Sequence, residues 1–189
     1  MTELVTTRIV HEGWATFSVV SIRLSNGDVI RREVEDHGSA VAVLPYDPVR
    51  RVAMLVEQLR CPMFVTSGLL VSREAPAGIL EGIDPSDCAR REALEECGLA
   101  LSDLEHCGRV WSMPGISTEQ IDLFLSPYGM ADRIAAGGGL AEEQEHITVV
   151  EVPLVDLAVA ADAGDISDMK TFALVQTLRL RHPDLFVSR

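Results

Sequence analysis

"PAGILEGIDPSDCARREALEECGL", residues 76–99, decides how this chain is read. Asp84 is placed to cap a helix, Pro85 suits its first position, and Asp87 follows three residues after the cap. Gly98 is placed to end the helix in a left-handed conformation. Between them Glu92, Glu95 and Glu96 stand three and four residues apart, spacings that share one helical face. Like charges so placed repel unless something positive sits among them, and Arg91 alone does not balance three carboxylates. Two readings are open at this point. Charge runs are usually solvated faces; carboxylates grouped in this way also suit a hard cation such as Mg²⁺.

Outward from this helix the patterns are mostly of strands. Residues 3–10, 15–24 and 28–35 are rich in Val, Ile and Thr, and "SNGD" (25–28) supplies an Asn-Gly hairpin signal. Three strands rarely bury enough surface alone, so this meander is expected to pack on something else. "SAVAVLPYD" (39–47) and "RRVAMLVEQLR" (50–60) are almost continuously apolar, as central strands covered on both faces are. Residues 61–78 read as a loop with a short strand. Strands follow at 105–113, 119–128 and 147–153, and helices at 154–163 and 169–181 with Gly164 between them. "AAGGGLAEEQEH" (135–146) reads as a mobile loop, since its glycines carry no side chain to pack.

The bulk numbers narrow the class. A chain of 189 residues that is 47% hydrophobic has enough for a real core. The net charge of −13 leaves no basic stripe, which argues against nucleic acid as a partner. No segment approaches the roughly 20 apolar residues of a membrane span, so no membrane partner is expected. Cys61, Cys88, Cys97 and Cys107 show no C-x-x-C spacing and are read as reduced thiols of a cytoplasmic protein. The five histidines, His37 among them, show no ligand spacing and are read as structural or surface residues.

Residues 76–99 resemble the signature of the Nudix hydrolases, in which R-E-x-x-E-E-x-G follows an upstream glycine and glutamate. Arg91, Glu92, Glu95, Glu96 and Gly98 match every fixed position of the second half. The first half is one residue short, and Ile83 falls where the family has a glutamate that braces the arginine. Glu81 and Asp84 are both open as its replacement. Three further stretches resemble the branch that hydrolyses ADP-ribose and sugar nucleotides: "EQLR" (57–60), "SMPGISTEQIDLFL" (112–125) and "GGGLAEEQEHI" (137–147). The shortened signature, "AGGG" (136–139) and "GDISDMKT" (164–171) are more similar to the GDP-mannose hydrolases of that branch.

The resemblance implies an α/β fold, the Nudix α/β/α sandwich with a mixed sheet, spanning residues 37–189. Residues 1–36 would form a small β subdomain used in dimer exchange and base binding. It implies Mg²⁺-dependent hydrolysis of a nucleoside diphosphate sugar by a homodimer, with Mn²⁺ as a substitute ion. ADP-ribose, giving AMP and ribose 5-phosphate, is the first expectation, and GDP-mannose the alternative. Glu92, Glu95 and Glu96 match metal ligands, joined by the backbone of Ala77 and by Glu145. Glu143 matches the candidate base, with Glu142 a close competitor, and completes a catalytic set with Glu96, Glu92 and Arg91. Arg60, Glu119, Trp14 and Arg32 match substrate contacts. Blander readings stand beside these. Arg60 at a strand end can pair with Glu57, Glu119 can be an ordinary strand-start residue, and Trp14 can simply cover a dimer core. A non-catalytic nucleotide-sugar sensor, or a structural homodimer with an acidic face, would also fit an acidic helix.

Overall fold

The computed structural model describes residues 1–140 and 146–187. The front of the chain forms a three-stranded antiparallel sheet from β1 (Glu3–Glu12), β2 (Thr16–Arg23) and β3 (Val29–Asp36), in that order. Gly27, at φ 94°, makes the turn between the last two. Cross-strand register puts Leu4, Ile22 and Ile30 side by side, and likewise Ile9, Ser18 and Val34. The alternation of strands therefore makes one face apolar, with Arg32 in its midst, and turns Arg8, Ser21 and Arg31 to the other. Every residue of β1 is exposed, Leu4 and Ile9 included. The front sheet joins the rest at the end of β3, where Glu35 exchanges backbone hydrogen bonds with Ile116 and Thr118.

Among the described residues the main sheet has seven strands. These are β4 (Ala40–Asp47), β5 (Val52–Gln58), β6 (Ser72–Glu74), β7 (Ala77–Ile79), β8 (Glu105–Trp111), β9 (Gln120–Pro127) and β10 (Thr148–Pro153). Its order is β10-β5-β4-β9-β8, with β6 on β5 and β7 on β4. β4 and β9 run parallel and the other pairs antiparallel, so the sheet is mixed as expected.

The near-continuous apolar runs of β4 and β5 follow from cover on both faces. Val41, Val43, Met54 and Val56 pack under α2 (Pro85–Cys97), against Cys88, Ala89, Ala93 and Cys97. Ala42, Leu44, Ala53 and Leu55 point the other way, to Leu154 and Leu157 of α3 (Leu154–Ala163) and to Leu174, Val175 and Leu178 of α4 (Met169–Arg181). Leu44 and Leu55 are fully buried, and truncating either to Ala would cost about 2–5 kcal/mol. The result is the α/β/α sandwich. A further α-helix, α1 (Cys61–Ser67), lies where the sequence reads as loop. It lacks a side-chain N-cap and buries no residue, so neither signal marks it; Gly68 at φ 74° ends it. Among the described residues no helix is long and apolar enough to cross a membrane.

Candidate active site

The signature helix forms as its caps require. The Asp84 carboxylate accepts from the Ser86 N–H at 2.8 Å, Pro85 occupies the first turn, and Gly98 at φ 71° closes the other end. Its buried residues are Cys88, Ala89, Glu92, Ala93, Glu96 and Cys97, a stripe recurring every four residues. Two of the three glutamates thus lie on the face turned to the sheet. Glu92 is 9% exposed and Glu96 2%. This disposes of the solvated acidic face, because burying a carboxylate is costly unless positive charge or hydrogen-bond donors meet it.

Among the described residues, such donors include Arg91 and the backbone of β7. Arg91 spans two carboxylates, donating from Nη2 to Glu92 Oε1 (2.8 Å) and from Nη1 to Glu81 Oε2 (3.1 Å). Glu81 therefore pairs with the signature arginine, Asp84 serves as the helix cap, and Ile83 is exposed. From β7, the Ala77 N–H donates to Glu96 Oε2 at 3.2 Å. Gly78 lies directly against Glu92, where any Cβ would collide with the carboxylate. Glycine is needed here for proximity rather than for a turn.

The described part of the glycine-rich segment, residues 135–140, is loop as expected, and it is packed on the end of α2. Gly138 and Gly139 donate to the carbonyls of Glu96 (2.8 Å) and Glu95 (3.2 Å), and Ala135 to that of Gly98 (3.2 Å). These bonds satisfy carbonyls that a helix end leaves open. Gly137, at φ 73°, sits so near Glu96 and Cys97 that a side chain would strike the helix backbone. The glycines permit contact here. Glu142, Glu143 and Glu145 lie outside the described residues.

A cleft of about 680 Å³ opens beside α2. Glu92 and Glu95 line it, with Ala77 and Gly78, and so do Trp14, Arg60, Glu119, Arg91 and Lys170. Arg60 does not pair with Glu57, which Arg73 engages at 2.5 Å. Its guanidinium instead forks onto Glu74, Nε to Oε1 at 2.9 Å and Nη2 to Oε2 at 2.8 Å. Lys170 Nζ reaches the same carboxylate at 2.6 Å and Asp168 at 2.9 Å. Glu74 is 2% exposed, and burial alone would raise its pKa; Arg60 and Lys170 outweigh that and hold it down at about 2. Glu74 is thus a post that fixes two cations at the cleft. Neither it nor Lys170 had been singled out as a site residue, since Glu74 and Lys170 meet only through tertiary structure.

At the other end, Glu119 Oε1 lies 3.3 Å from His37 Nε2, and the His37 ring stacks on Trp14 with centroids 4.7 Å apart. His37, read from the sequence as a structural or surface residue, also lines the cleft. Arg32 does not line the cleft of its own chain; it donates to the Arg31 carbonyl on β3.

The donor set suits a hard divalent ion. Cys97 beside the glutamates is fully buried, and burial pushes its thiol pKa up, away from the thiolate a soft metal would need. Among the described residues no three His, Cys, Asp or Glu side chains form a ready metal cage. Mg²⁺ does not require one: it keeps several waters and takes one or two carboxylates together with substrate phosphates. The cleft that Glu92 and Glu95 line leaves space for that mode.

No protein-family model matches the chain. It is 36% identical over 186 residues to a GDP-mannose pyrophosphatase of Cronobacter sakazakii, covering 95% of each chain. It is 37% identical over 158 residues to one of Citrobacter koseri, covering 81% of each. Its fold matches the crystal structure of an ADP compounds hydrolase with a TM-score of 0.78 and 18% identity, over 98% of this chain and 97% of the other. With the signature helix, its buried glutamates and this fold in place, the chain belongs to the Nudix family and is a hydrolase of the pyrophosphatase kind.

Proposed function

We propose that the chain hydrolyses the pyrophosphate bond of GDP-mannose, giving GMP and mannose 1-phosphate, with Mg²⁺ as the working ion and Mn²⁺ as a substitute. The observation that carries this is the burial of Glu92 and Glu96 on the sheet-facing side of α2, beside a cleft that also holds Arg60 and Lys170. ADP-ribose was the first expectation. The similarity to GDP-mannose pyrophosphatases over nearly the whole chain favours the alternative.

The chemical difficulty is the approach of water to a phosphorus that already carries negative charge. A divalent ion, when bound, neutralises the diphosphate and acidifies and orients water. Glu92, Glu95 and Glu96 would hold it, with the backbone of Ala77 and with Glu145. Arg91 keeps Glu92 in place. Arg60 and Lys170, fixed by Glu74, offer positive charge to the phosphates. Glu119 accepts hydrogen bonds from the sugar hydroxyls. Glu143 is the family's candidate for taking the proton from water.

The same reading makes the enzyme a homodimer. A second copy would cover the apolar face of the front sheet, and Arg32 on that face would reach the neighbouring phosphates while Trp14 stacks on the base. The free thiols suit the reducing cytoplasm.

Parallel assays with GDP-mannose and ADP-ribose in Mg²⁺, with products identified, test the proposal. Equal yields of GMP and mannose 1-phosphate, formed faster than AMP from ADP-ribose, are expected. No hydrolysis of either substrate with Mg²⁺ or Mn²⁺ would overturn it and favour a nucleotide-sugar sensor.

A further inference from the structure

His37 lies in the short link between β3 and β4, and both of its ring nitrogens face carboxylates. Nδ1 is 2.5 Å from Glu35 Oε1, and Nε2 is 3.3 Å from Glu119 Oε1. Ser117 ties the Glu35 carboxylate to the Glu119 backbone: its Oγ donates to Glu35 Oε2 (2.6 Å) and accepts from the Glu119 N–H (3.1 Å). Trp14 covers one face of the imidazole, with 21° between the ring planes. His37, Glu35 and Glu119 keep 16%, 13% and 17% of their side chains exposed, so water competes weakly for these bonds.

A neutral imidazole has one N–H and one lone pair. Set between two carboxylates, it would donate to one and repel the other. Only the imidazolium satisfies both. We infer that His37, as a cation, is a positioning residue that orients the Glu119 carboxylate and thereby sets how tightly the sugar end of the substrate is held. This rests on the reading of Glu119 as the sugar contact. The charged groups facing the ring are Glu35 and Asp36 from the end of β3 and Glu119 from the turn before β9; Trp14 is neutral. Burial lowers the His37 pKa, but the hydrogen bonds to Glu35 and Glu119 outweigh it, and the net shift is upward. The cation is therefore kept to a higher pH than in a free imidazole and is lost as pH rises past the raised value. Glu119 then loses its charged donor, and sugar affinity falls.

The test is the pH dependence of KM for GDP-mannose. Wild-type KM is expected to rise about tenfold toward alkaline pH with kcat moving less, the size of one lost charged hydrogen bond. His37→Gln should hold KM at the high value throughout, and His37→Arg, a permanent cation, should keep it low and remove the alkaline rise. In substrate-free protein labelled with ¹⁵N, both His37 nitrogens should carry protons at pH 7, and Glu119→Gln should lower the pH at which the ring titrates. A neutral ring at pH 7, a titration that ignores Glu119→Gln, or a normal wild-type turnover with KM indifferent to His37→Gln would each overturn the inference. Failure of the substrate reading looks different: the wild type itself would not turn over GDP-mannose.

Discussion

Two sets of buried carboxylates lie in or beside the cleft, and the chain treats them differently. Glu74 on β6 is matched by two cations of the chain itself, Arg60 and Lys170. Glu92 and Glu96 on α2 crowd with Glu95 along one helix, and Arg91, which serves Glu92, also serves Glu81. Residue type and burial are nearly the same, and the surrounding charge decides the task. A glutamate whose cations are built in is a structural post. A group of glutamates crowded along one helix is, on the proposed function, the arrangement a divalent ion would complete.

The comparison can be broken from either side. The largest effect is expected at α2: Glu96→Gln should lower kcat by about 10³-fold or more, and chelation of the ion by EDTA should do the same to the wild type. Circular dichroism should show the fold retained in both. A rate unchanged by Glu96→Gln would remove that residue from the chemistry.

Glu74→Gln should instead weaken the fold. Its pKa falls from 4.5 to about 2 on folding, which at roughly 1.4 kcal/mol per pH unit is about 3 kcal/mol. A lowered pKa stabilises above the unfolded-state value and stops doing so as pH falls through the folded one. Urea midpoints of wild type and variant should therefore differ at pH 7 and converge between about pH 5 and pH 2. Equal midpoints at pH 7 would deny Glu74 its role as a post.

Gly78→Ala sharpens the comparison on the α2 side. The added methyl meets the Glu92 carboxylate, and displacement by about 1 Å is expected to cost about 100-fold in kcat/KM. Wild-type kinetics would mean that Glu92 can move aside without consequence. The smallest effect is at the cap. Asp84→Ala should lower stability by about 1 kcal/mol with little change in rate. A large loss of rate would make Asp84, rather than Glu81, the brace that Arg91 requires.

Much of this could be read from residue order, wherever the information is local. The caps of α2 lie within a few residues of it, and the alternating cover of β4 and β5 is written in unbroken apolar runs. What escaped was the meeting of distant residues. Glu74 and Lys170 are 96 positions apart, and Ser117 reaches Glu35 across 82. His37 shows no ligand spacing because its partners are carboxylates used as acceptors, one of them on another part of the chain. Residues 135–139 are loop as read, and their contact with α2 escaped for another reason. Glycine is as useful for letting two backbones touch as for letting one move, and composition does not say which.

That contact has a consequence for timing and alignment. The last carbonyls of α2 anchor the segment that leads to Glu143, while the same helix carries Glu92 and Glu96. The proposed metal ligands and the anchored glycines are thus measured from one ruler: a tilt of the helix carries Gly138 and Gly139 with it, and their distance from Glu92 and Glu96 is kept.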